Sequence, residues 1–201
     1  MTPTQERMNA ISMLAPLLYL VQDVATAFHP GVFLLLLATC AHCPLSIIFH
    51  WRCADDLTGP SHLADLRRLD QSYIHFASVL FAISVEPRWD FVLSVLGFNV
   101  VGVALCWNAP RCLVGRHWVL VYLALMAPLL ALLVFETRFR SFVTGFLAIT
   151  LGGVPFLEPV NARVFRGWGH AVFHLFTALY AHALSSAVRS SAVRWPFGHF
   201  E

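Results

Sequence analysis

His170 and His174 open a long apolar run near the C-terminal end of the chain, in Gly-His-Ala-Val-Phe-His-Leu-Phe (169–176). On an α-helix, positions i and i+4 lie about 40° apart around the axis, so both imidazoles face the same way. In an isolated apolar helix such a pair is costly. It becomes reasonable when a metal takes one nitrogen from each ring and a third ligand arrives from elsewhere. His50 offers that ligand. It ends a second apolar run, Pro-Leu-Ser-Ile-Ile-Phe-His (44–50), with Ser46 one turn earlier on the same helical face. Asp70 follows in Leu-Arg-Arg-Leu-Asp-Gln (66–71). Three neutral imidazoles and a water form an open tetrahedral zinc site, the arrangement of a catalytic rather than a structural metal.

The elements that must position these residues are membrane helices. The chain has 201 residues, 58% hydrophobic and 12% charged, with a mean hydropathy of +0.70. A soluble domain of this length carries about twice that charge. The expected fold class is all-α, a single integral membrane domain over residues 1–201 built as a seven-transmembrane-helix bundle. The spans fall at 9–28, 31–51, 70–86, 90–107, 117–135, 141–158 and 167–187, joined by short connections except 52–69 and those after the fourth and sixth spans. The tryptophans were not used to draw these limits, and they agree with them. Trp51, Trp89, Trp107, Trp118, Trp168 and Trp195 all lie at or just outside a span end, where an indole keeps an apolar body and a wet N–H.

Residues 11–21 also fit the apolar core of a secretory signal, with Ala25-Thr26-Ala27 as an A-x-A cleavage site and residues 1–27 as the leader. Against that, Glu6 stands beside Arg7 and the segment has little net positive charge. With the first helix retained, Gln22 and Asp23 face neighbouring helices or the interface. Alternate connections then place eight Arg on the N-terminal side and five on the other, which favours a cytoplasmic N-terminus in a multi-pass protein. The net charge is +2 and no basic block is long enough for nucleic acid. The five cysteines include a Cys40-x-x-Cys43 pair whose place in an apolar helix fits packing rather than redox chemistry.

Topology brings the site together. The end of the second span, the start of the third and the start of the seventh share one membrane side, so Ser46, His50, Asp70, His170 and His174 can converge within about two turns of the interface. Asp70 is expected in the first turn of its helix, where a carboxylate is favoured. Pro44 is expected to kink the second helix just before the Ser46–His50 pair. His182 lies about 12 Å deeper than His174 by the helical rise, too far to share a metal. His42 and His182 are expected in helix–helix hydrogen bonds, and His75 points away from Asp70. Asn99 and Glu158 carry no assignment.

Ser-Ile-Ile-Phe-His, Leu-Arg-Arg-Leu-Asp-Gln-Ser-Tyr-Ile, Gly-Gly-Val-Pro-Phe (152–156) and His-Ala-Val-Phe-His-Leu-Phe together resemble the hemolysin III and progestin/adiponectin receptor (PAQR) family. They also fit its wider CREST superfamily, which adds alkaline ceramidases and GPI-remodelling lipases. The resemblance covers the order of motifs from 46 to 182. It implies a seven-helix membrane protein with zinc on His50, His170 and His174, and with Asp70 and Ser46 beside the bound water. Gln71 stands where hemolysin III-like members usually carry His after the Asp, so the superfamily is the match rather than the branch.

The function this implies is zinc-dependent intramembrane hydrolysis of a lipid amide or ester. Zinc would make hydroxide available near neutral pH, Asp70 would accept and relay its proton, and Ser46 or the metal would steady the oxyanion. The substrate would be a membrane lipid such as a ceramide, glycerolipid or GPI acyl ester. The alternative is a PAQR-like receptor or sensor that keeps zinc structurally, which rests on analogy. A transporter is disfavoured by the absence of an inverted repeat and the scarcity of charge along the spans.

Overall fold

The computed structural model describes residues 1–55, 60–108, 110, 118–134, 138–157 and 160–191. The apolar runs are rich in Leu, Ala, Val and Phe, and among the described residues they form helices and no strand. In chain order these are α1 (Pro3–Ser12), α2 (Leu14–Thr26), α3 (Pro30–Asp55), α4 (Pro60–Val85), α5 (Trp89–Asn108), α6 (Trp118–Val134), α7 (Phe139–Gly153) and α8 (Gly169–Arg189). A 3-10 turn at Val154–Phe156 and a π-turn at Asn161–Phe165 lie between α7 and α8.

Four of these rods are long and apolar enough to cross a bilayer: Pro3–Thr26 (α1 with α2), α3, α5 and α8. Val119–Leu133 and Phe139–Gly153 are apolar but shorter. The core joins α2, α3, α4, α6, α7 and α8 through Leu20, Leu35, Val85, Leu129, Ile149 and Leu184, all buried. The outside is apolar too, with Leu93, Val100 and Val101 of α5 and Leu175 and Leu179 of α8 exposed. An apolar exterior around a packed core suits hydrocarbon rather than water as the surroundings.

Three expectations need correction. The first helix begins at Pro3 rather than residue 9, because Thr2 and Gln5 form a capping box. The Thr2 hydroxyl accepts from the Gln5 N–H at 3.3 Å, and the Gln5 side chain accepts from the Thr2 N–H at 2.8 Å. Residues 52–69 are not one long loop, since α3 runs to Asp55 and α4 starts at Pro60. Asp70 therefore lies well inside α4 rather than in its first turn, and the helix N-terminus does not hold it. The other helices start and end within a few residues of the expected spans, and α3 and α6 continue through Pro44 and Pro128. Trp51, Trp89, Trp107 and Trp168 lie within a turn or so of helix ends and are exposed, whereas Trp195 lies outside the described residues.

Candidate metal centre

The site is built where α1, α3, α4 and α8 meet. The start of α8 is set by backbone contacts. Gly169, next to His170, donates its N–H to Asn161 Oδ1 at 2.9 Å. A Cβ at Gly169 would stand 1.9 Å from the Pro155 carbonyl oxygen, so only glycine lets the Gly-Gly-Val-Pro-Phe turn approach the helix this closely. α1 is fastened to the same region. Its Gln5 side chain donates to the Arg166 carbonyl at 2.6 Å, against Gly167, whose φ of +92° favours glycine.

His50, His170 and His174 come together here. One ligand atom from each lies within 4.8 Å of the other two. Ring centroids are 4.5 Å apart for His50–His170, 4.6 Å for His170–His174 and 5.7 Å for His50–His174. Nitrogens sharing one tetrahedral zinc are about 3.4 Å apart by geometry, so modest ring rotations bring the three to bonding distance. His50 and His174 are buried and His170 is half-buried.

The rings are oriented by α1. His50 Nδ1 lies 2.8 Å from Glu6 Oε2, and a carboxylate there makes Nδ1 the protonated, donating nitrogen. His50 Nε2 is then a bare lone pair, and it is buried with no hydrogen-bond partner. His174 Nδ1 lies 3.0 Å from the Asn9 carbonyl and 2.9 Å from Ser12 Oγ. A carbonyl oxygen only accepts, so His174 also carries its proton on Nδ1, and Ser12 sends its own hydrogen to Asn9 O at 2.8 Å. Metal-binding histidines use the same pattern, with one nitrogen donating to a carboxylate or carbonyl and the other left for the ion.

Asp70 and Ser46 complete the cluster on the α4 side. Asp70 Oδ1 lies 3.0 Å from His42 Nε2, and buried Ser46 stands near the same carboxylate. Asp70 is within electrostatic reach of both His50 and His174. His42, Ser46 and His50 follow one another at i+4 steps, so a single stripe of α3 presents one of the clustered imidazoles, the partner of Asp70 and Ser46 between them.

The other polar residues are used elsewhere. His75 Nδ1 meets Asn99 Oδ1 at 2.7 Å, joining α4 to α5. His182 Nδ1 meets the Tyr19 hydroxyl at 2.9 Å, joining α8 to α2. Asp23 pairs with Arg189 at 2.7 Å and bonds Ser185, while Gln22 is exposed. Cys40, Cys43, Cys53 and Cys106 are free thiols, with Cys43 packed against the Met13 carbonyl. Glu158 and Cys112 lie outside the described residues. Glu6, Asn9 and Ser12 did not figure among the residues read from the sequence as site groups. Their signal was present as a polar stripe of Gln5, Glu6, Asn9 and Ser12 along one face, just after the capping box at Thr2.

The chain matches no protein-family model, no curated protein and no solved structure.

Proposed function

We propose that this protein is a zinc-dependent hydrolase of the bilayer, a seven-helix bundle related to the PAQR and ceramidase superfamily, which cleaves an acyl amide or ester of a membrane lipid. The observation that carries the reading is His50 Nε2. It is a buried nitrogen with no partner, its other ring nitrogen is held by a carboxylate, and it stands beside two more imidazoles. A buried polar atom left unpaired is costly, and a metal is what three converging imidazoles satisfy best. Three protein ligands rather than four would leave a coordination position for water or substrate.

Zinc, when bound, supplies a Lewis acid and lowers the pKa of water towards neutrality. The chain's own residues do the rest. His50, His170 and His174 would hold the ion. Asp70 takes a proton from the attacking water and returns it to the departing amine or alkoxide. His42, hydrogen-bonded to that carboxylate, keeps it oriented towards the cluster, with Ser46 nearby. The apolar exterior and the membrane-length helices deliver a substrate from the lipid phase. The order of the Ser46–His50, Asp70, 152–156 and His170–His174 motifs supports the superfamily assignment, and the Arg distribution supports a cytoplasmic N-terminus.

The test is fatty-acid release from ceramides, phospholipids and a total lipid extract, read by mass spectrometry. The unsubstituted protein should release acid from at least one lipid class. Asp70→Ala should keep its zinc and lose about 10²- to 10⁴-fold in rate, the usual share of a general acid–base group. Full zinc occupancy with no turnover of any lipid would overturn the hydrolase in favour of a receptor.

A further inference from the structure

Glu6 is an acidic side chain in an unexpected place. It is 8% exposed, on a helix that otherwise leads into a membrane-length apolar run. Burying a carboxylate is costly unless something compensates it. Its oxygen Oε2 receives His50 Nδ1 at 2.8 Å and Asn9 Nδ2 at 3.3 Å. Three residues further along the same face, Asn9 offers its carbonyl to His174. α1 therefore touches two of the three clustered histidines, in each case at Nδ1.

We infer that Glu6 is a positioning residue of the metal centre, acting through His50, and that α1 is part of that centre. The inference rests on the metal site proposed above and deepens it. Two physical effects converge on Glu6. A carboxylate on Nδ1–H fixes the tautomer of the ring and raises the basicity of Nε2, so the ligand binds more tightly. Three neutral imidazoles leave a dication with its whole charge in a poorly solvated place. Among the described residues, Glu6 through His50 and Asp70 from α4 bring carboxylates to the cluster. The competing account is a helix–helix link that merely ties α1 to α3.

Full-length protein purified in detergent separates these accounts by zinc affinity, measured by chelator competition, and by the melting temperature of the metal-free form. Glu6→Gln is close to isosteric and still accepts a hydrogen bond from His50, but it has lost the charge. We expect its zinc affinity to fall about 10-fold, with Glu6→Ala falling towards 100-fold, while metal-free Glu6→Gln melts like the unsubstituted protein. Arg7→Ala, which removes the exposed Arg7–Asp55 pair on the same helix, should bind zinc normally. Unchanged zinc affinity in Glu6→Gln and Glu6→Ala overturns the positioning role, as does an equal loss in Arg7→Ala. If Glu6→Ala does not fold, Glu6→Gln decides alone. Absence of zinc binding in the unsubstituted protein is a different failure, since it overturns the metal centre itself and this inference with it.

Discussion

Asp70 shows how strongly one side chain's role depends on its neighbours. A carboxylate at the mouth of a helix needs little support, but one inside α4 must be held, and His42 of α3 holds it. His42 is not one of the three residues whose nitrogens cluster, and its Nε2 is engaged by Asp70 at 3.0 Å. His42→Ala should therefore leave the zinc content intact and slow lipid turnover by about 10- to 100-fold, the range for residues that orient a catalytic group. Zinc content and rate measured on one preparation check this. Loss of the metal in that variant would place His42 among the ligands.

At the scale of elements, the start of α8 is the most constrained point of the molecule. The Pro155 carbonyl packs onto Gly169, and the next residue is His170. Gly169→Ala forces the 3-10 turn and the helix start apart. Overpacking of this kind costs about 1–3 kcal/mol, and the expected outcome is a lower melting temperature together with weaker zinc binding. A variant that melts and binds zinc normally would show that the turn does not set the position of His170. The apolar helices and the His-x-x-x-His pair were legible in the sequence because hydropathy and helical spacing are local signals. The role of α1 was not. Its contacts to His174 and Arg166 span more than 150 residues, and a search for apolar runs passes over a helix whose polar stripe faces inward. The start of α4 was missed for a related reason, because the stretch around Arg67, Arg68 and Asp70 is too polar to read as a span.

On the scale of the whole molecule, polarity is distributed in reverse of a water-soluble protein. Apolar side chains cover α5 and α8 on the outside, while carboxylates, imidazoles and amides pair in the interior or at helix ends. Some of these pairs are structural, as with His75–Asn99 and Tyr19–His182. The cluster of His50, His170 and His174 differs in kind, since His50 keeps a buried nitrogen that no protein group satisfies. Everything proposed for the chemistry depends on what occupies that place. The direct measurement is the metal content of the purified protein and of His50→Ala, His170→Ala and His174→Ala, by elemental analysis. The account predicts one zinc per chain in the unsubstituted protein and a marked loss of zinc in each variant. Zinc occupancy that is the same in all four proteins, or absent from the first, would contradict it.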